Sequence, residues 1–153
     1  MPAHARVWVY KSARAFTHEQ QQVIRGKGEE FTRSWAAHGA SLDACVDVLL
    51  DHFVVVGVDE QQALASGCSI DKSVRFVQEL EKGLAIDLTD RMVVLYEKDG
   101  SVRACRVPEV EGLLKRGELT ADTTVFDDLV NTKADLDARF RAPLRETWMA
   151  RFL

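Results

Sequence analysis

Residues 53–58 read FVVVGV, the longest uninterrupted apolar run in the chain. It is far shorter than the roughly 20 residues a membrane-spanning helix needs. Rich in β-branched valine, it predicts a short strand buried on both faces. The rest of the chain must supply what covers those faces. The preceding residues alternate, with Leu42, Ala44, Val46 and Val48 on one side and Asp43, Cys45 and Asp47 on the other. With Asp51 and His52 at the turn, residues 42–58 predict a hairpin of one half-exposed and one buried strand.

The flanking segments have their own signals. RVWVY (6–10) reads as a strand. Thr17 and Gln20 have capping-box spacing and open a helix to about His38, with Val23, Ile24, Phe31 and Trp35 as its apolar seam. Gly26 and Gly28 weaken that helix, and Gly39 is its expected stop. A second helix carries Ile70, Val74, Val77, Leu80 and Leu84 on one stripe and ends at Gly83. A second hairpin follows at 91–107, turning at Asp99-Gly100. A short helix at 109–116, ended by Gly117, comes next, then a brief strand TTVF. Helical segments at 133–140 and 144–152 are separated by Pro143. The order β-α-β-β-α-β-β with a small α/β tail predicts an α+β fold, a mainly antiparallel or mixed sheet covered by two main helices. Residues 1–88 form an N-terminal α+β unit and 89–153 a C-terminal hairpin with short helices, packed as one globule. Trp8, Trp35 and Trp148 are expected as core anchors.

The 153 residues carry a net charge of −4, which argues against a general affinity for nucleic acid or anionic membranes. The start shows no secretory pattern and the expected location is cytoplasmic. Three widely spaced cysteines, Cys45, Cys68 and Cys105, fit reduced thiols. Four scattered histidines, none paired at helical spacing, give no metal site. No cofactor is expected.

The most polar stretch beside an apolar helix is SGCSIDKS, 66–73. It lacks what a phosphate loop requires: Asp71 stands where the last glycine should precede Lys72-Ser73, and the acidic strand end Asp59-Glu60 comes before the loop instead of after it. Ser69-x-x-Lys72 has the spacing of a serine–lysine nucleophile pair, without that class's companion motifs. Cys68 is a better nucleophile candidate, because a helix N-terminus stabilises a thiolate and His52 can approach through the fold. A structural reading explains most of the segment: Gly67 allows the turn, Ser69 caps the helix and Asp71 lies in its first turn.

The segments VWVY, WAAHG, VDE, SGCSIDKSVRFVQELE, IDLTDRM, VFDDLVNTKADL and PLRETWMARFL together resemble a family of short uncharacterised proteins of the Bacteroidota group, commonly labelled ABC transporter ATPase. The resemblance spans nearly the whole chain and implies an association with such ATPases, in a chain without its own phosphate loop. KDGSVRACRVPEVEGLLKRGELTADTTVF is similar in rhythm to bacterial GYF-like domains, which implies peptide binding. The sequence therefore predicts a non-catalytic ligand-binding or interaction module. Its candidate site is Asp59, Ser66, Gly67, Cys68, Ser69, Asp71, Lys72 and Ser73. The partner is a neutral or zwitterionic small molecule or a protein, and a homodimer is a further possibility. The alternative is a thiol-dependent enzyme using Cys68.

Overall fold

The computed structural model describes residues 1–37, 40–60 and 66–153. In chain order the elements are β1 (Arg6–Lys11), α1 (His18–Ser34), β2 (Ala36–Ala37), β3 (Ala40–Ser41), β4 (Asp43–Leu49), β5 (Phe53–Asp59), α2 (Gly67–Leu84), β6 (Val93–Lys98), β7 (Ser101–Arg106), α3 (Val110–Lys115), β8 (Thr124–Phe126), α4 (Lys133–Arg139) and β9 (Arg141–Pro143). The fold is α+β, with one antiparallel sheet ordered β1-β5-β4 and another ordered β7-β6-β8-β9. Among the described residues no helix is long and apolar enough to cross a membrane.

The apolar run becomes β5, the centre of the first sheet, with every residue from Phe53 to Val58 buried. Because side chains alternate across a strand, its two faces meet different partners. Val54 packs with Ile24 of α1 and with Phe76, Val77 and Leu80 of α2. Val56 and Val58 pack with Trp35 and Leu42. On the opposite face Phe53 joins Val93, Leu95, Phe126, Val130 and Phe140 of the second sheet and its connections. Each fully buried valine stabilises the fold by about 1.5–3 kcal/mol relative to exposure. The register sets Val7, Gly57 and Cys45 side by side in one row and Val9, Val55 and Asp47 in another.

Helix α1 starts as read: Thr17 Oγ1 accepts from the Gln20 N–H at 3.1 Å, and the Thr17 N–H donates to Gln20 Oε1 at 2.9 Å. It ends four residues short of His38, at Ser34, because Trp35 is extended (φ −75°, ψ 126°) and its carbonyl accepts from the Leu42 N–H. Trp35 is therefore buried from outside the helix, while Val23, expected on the seam, is exposed. Gly28 takes a place on the buried side beside Ile24. A Cβ there would lie 2.7 Å from Val46 Cβ, so the glycine is what lets α1 settle on β4. Gly39 lies outside the described residues.

Helix α2 is rotated relative to the expected stripe. Ser69, Ser73, Phe76, Val77 and Leu80 face inward, whereas Val74 is exposed. Gly83 does not end it; Ala85 does, in the left-handed region (φ 52°), with its N–H donating to the Glu81 carbonyl. Asp99 and Gly100 are both at positive φ, as a two-residue hairpin turn requires. The corresponding turn between β4 and β5 uses Leu50 and Asp51, also at positive φ.

In the last third, β8 and α4 occupy the expected places, and β9 pairs with β8 although no alternation announces it. The expected helix at 144–152 is two 3₁₀ turns, Leu144–Glu146 and Trp148–Phe152, with Met149 buried against Val110, Leu113 and Leu119. Trp8 and Trp148 are half-buried and Trp35 alone is a fully enclosed tryptophan. Residues near both chain ends are stitched together: Val7 N–H donates to the Asn131 carbonyl, Lys133 N–H to Ala5 and Ala134 N–H to Ala3, at 2.9–3.0 Å.

Two measurements check this packing. Gly28→Ala forces overlap with Val46 and is expected to cost about 1–3 kcal/mol in urea unfolding. Gly26→Ala, with nothing within 4 Å of the added carbon, should instead stabilise by about 0.5–1 kcal/mol. The second concerns Cys105, whose burial pushes its thiol up to about 11 from 9.0. The folded state thus holds this proton more tightly than the unfolded chain. Its contribution is complete below pH 9 and is lost as pH rises through about 11. The loss is on the order of 2 kcal/mol. Stability measured from pH 8.5 to 11 should therefore fall less steeply in Cys105→Ala than in the wild type.

Candidate functional site

The helix-start segment is organised by Ser66, not by Ser69. Ser66 is extended (φ −81°, ψ 165°) and its Oγ accepts from the Ser69 N–H at 3.1 Å. The two hydroxyls are 2.8 Å apart. Moving the cap back three residues makes Gly67, Cys68 and Ser69 the first three helical positions. Asp71 becomes the fifth and leaves the first turn, which contains no acidic residue. A cap needs an extended residue whose oxygen reaches three residues ahead, and only Ser66 has that geometry here.

The rotation of α2 divides the predicted site residues between two environments. Ser69 and Ser73 are each only 2% exposed. The Ser69 carbonyl accepts from the indole N–H of Trp35 at 2.9 Å, and Ser73 Oγ donates to the Ile70 carbonyl at 2.6 Å. The Ser69 carbonyl ties α2 to Trp35, while the Ser73 hydroxyl is satisfied within the helix. Gly67, Cys68, Asp71 and Lys72 are exposed, and Ser66 is half-buried. Asp59, at the end of β5, has a carboxylate oxygen 2.9 Å from His4 Nε2, and neighbouring Glu60 pairs with Arg6 at 3.4 Å. The linking residues 61–65 lie outside the described residues. Among the described residues the Cys68 thiol has no hydrogen-bond partner. His52, the base that a thiol mechanism would need, is buried at the β4–β5 turn with Nδ1 2.9 Å from the Ser12 carbonyl.

Lys72 opens onto a groove of about 570 Å³ between α1 and α2. Its floor is apolar: Phe31 and Phe76 stack with centroids 4.6 Å apart and planes 7° from parallel, and Phe31 meets Trp35 at 4.9 Å. Lys27, Lys72 and Arg75 stand on its rim with Glu30 and Glu79. Among the described residues none of these five charges has an ion-pair partner, although charges elsewhere pair freely, as in Arg25–Asp47, Arg106–Asp90 and Lys98–Glu118. Three cations against two anions leave the groove locally positive in a chain of net charge −4. Sequence reading singled out Lys72 but missed Lys27, Phe31, Arg75 and Phe76 as one set. The available signal was a repeated spacing, Lys27 to Phe31 and Lys72 to Phe76, which sets a cation one helical turn before an aromatic ring on each helix.

A second cleft of about 530 Å³ lies where the first sheet meets the C-terminal third, lined by Tyr10, Lys11, Asp90, Arg91, Asp128 and Trp148 among others. Its charges are largely neutralised. Lys11 pairs with Asp128 at 2.8 Å in a mostly buried bridge. The Asp90 carboxyl is held below its ordinary value by the Met92 N–H and then by Arg106. Burial raises the Tyr10 hydroxyl above its own. The Lys11–Asp128 bridge ties β1 of the first sheet to the C-terminal third. Among the described residues no group of three or more His, Cys, Asp and Glu side chains is arranged to hold a metal ion. No protein-family model, curated protein or solved structure matches the chain.

The division of roles along 66–73 makes a direct forecast. Ser66→Ala removes the cap and should lower unfolding stability by about 1 kcal/mol. Lys72→Ala, an exposed side chain with no partner among the described residues, should stay within about 0.5 kcal/mol of the wild type. A large loss in the lysine variant would mean that Lys72 has a structural role.

Proposed function

We propose that this chain is a small, non-catalytic binding module whose ligand site is the groove between α1 and α2. One observation carries the reading: five rim charges without an ion-pair partner among the described residues, cations in excess, stand over a floor of stacked aromatic rings. Unpaired charge at the mouth of an apolar depression is what recognition of a polar-ended, flat ligand needs. Half-buried Phe31 and the edge of Phe76 offer ring surface for a planar body, with Trp35 enclosed beneath them. Lys27, Lys72 and Arg75 attract an anionic group and contribute cation–π character to the same body. Glu30 and Glu79 disfavour a multiply charged phosphate and fit a ligand carrying a single negative charge. The ligand class is a planar aromatic monoanion. Of the residues the sequence singled out, Lys72 belongs to this site, and Ser66, Ser69 and Ser73 act in support by fixing the start of α2.

The test uses 1-anilinonaphthalene-8-sulfonate, a flat aromatic monoanion that reports binding by fluorescence. The wild type should bind one equivalent saturably. Lys72→Glu combined with Arg75→Glu should weaken that binding at least tenfold while leaving the melting temperature within a few degrees. Undiminished affinity in a folded double variant would remove the groove as the site.

A further inference from the structure

We infer that a separate site for a neutral, apolar small molecule lies on the opposite face of the first sheet, in a cavity opened by Gly57. The argument begins with an anomaly in β5. Every other residue of its buried run is valine or phenylalanine, yet Gly57 interrupts it in mid-strand. Glycine in a strand interior weakens the strand, and it often marks a place where something approaches the backbone closely. No turn or positive φ requires a glycine here, since Gly57 is absent from the residues in the left-handed region.

The register shows what its missing side chain leaves. Gly57 stands between Val7 of β1 and Cys45 of β4 in one cross-strand row. The two flanking strands are about 10 Å apart, twice the strand spacing. The row therefore has a notch at its centre. An added Cβ would sit 3.3 Å from Cys45 Sγ and 3.7 Å from Met1 Cγ. The notch is part of a cavity of about 470 Å³ whose floor is the sheet and whose wall is α4, including Leu136, with Phe140 just beyond it. Phe140 is fixed edge-on against Phe53 at 4.9 Å, so the aromatic cluster closes one end. That volume lies within the range of small-molecule sites.

The charges around this cavity decide the ligand's character. Asp47 pairs with Arg25, Lys133 with Asp137 at 2.6 Å, and Arg141 with Glu97 at 3.6 Å. Each charged side chain on the rim thus already has its counter-charge, in contrast to the groove between α1 and α2, and the α-ammonium of Met1 belongs to an exposed residue, where solvent screens it. An ionic ligand would find no charged side chain left to pair with, whereas an apolar one gains from every buried surface. Burial raises the Cys45 thiol above its ordinary value, against the opposing pull of the amino-terminal ammonium, and the Asp47 and Asp43 carboxylates add to the rise. The lining at the notch is consequently neutral as well.

The probe is N-phenyl-1-naphthylamine, which shares the ring system of the anionic dye and lacks its sulfonate. Measurements are made in a Cys68→Ala background so that the exposed thiol does not react. One equivalent should bind saturably, and saturation should slow alkylation of Cys45 at least fivefold. Leu136→Trp, which fills the cavity from α4, and Gly57→Ala, which fills the notch, should each weaken binding at least tenfold in folded protein. Lys72→Glu with Arg75→Glu should leave it unchanged, which separates this site from the groove. The inference is overturned by an absence of saturable binding or by Cys45 reacting equally fast with and without dye. It is equally overturned if affinity survives in whichever of the two filled variants folds. Loss of binding in the charge-reversed variant would also overturn it, by assigning the neutral dye to the groove.

Discussion

Strand β5 gives the molecule its plan. A strand of valines with no polar face cannot sit at an edge or under solvent, so it needs a neighbour on each side and a layer above and below. Strands β1 and β4 supply the neighbours, α1 and α2 cover one face, and the Phe53–Phe126–Phe140 cluster begins the cover of the other. The remaining closures follow from how near those layers must come. Gly28 exists in α1 because Val46 stands where a side chain would go. Ser69 and Ser73 are tolerated inside because their hydroxyls are bonded to Ser66 Oγ and to the Ile70 carbonyl.

Both faces of the sheet also leave space, and the two spaces differ in their electrostatics. Between α1 and α2 the lining charges have no ion-pair partner among the described residues, so an incoming charge gains from them without breaking a pair. Beside Gly57 the charges are already matched, and a ligand competes only with water. Two depressions on one small chain thus select by opposite criteria, and the difference lies in the pairing of side chains more than in their kinds. Lysine and carboxylate side chains line each region, yet Lys133 is neutralised by Asp137 while Lys72 has no partner among the described residues.

What the sequence made legible were features decided locally or by alternation. The Thr17–Gln20 capping box, the Asp99-Gly100 turn, the β4–β5 hairpin and the α+β class all follow from spacings within a few residues. What it concealed depends on rotation and distance. On α2 the expected stripe through Ile70 and Val74 was plausible by hydrophobicity, but Trp35 donates to the Ser69 carbonyl and turns the helix so that two serines face inward. Gly28 reads as a weak point of a helix until the strand beneath it is known. The groove between the helices draws residues from positions 27 to 80, and the Gly57 cavity from 1 to 141, so neither exists as a local pattern. The helix-start segment was legible as chemistry, and the structure divides it: its serines stabilise, and its lysine faces the groove.

The stitching of residues 3–7 to residues 131–134 bears on how the chain reaches this structure. The outer edge of β1 is synthesised more than a hundred residues before the backbone groups that satisfy part of it. Until they arrive, the strand offers open hydrogen-bonding groups to any extended segment nearby. Closing so long a loop costs little more than closing a medium one, since each doubling of length adds only about 0.6 kcal/mol. The delay is therefore one of timing more than of energy. The helices and the β4–β5 hairpin can assemble first, and capture of the amino-terminal segment by residues 131–134 becomes a late step that makes the first and last parts of the chain fold as one unit.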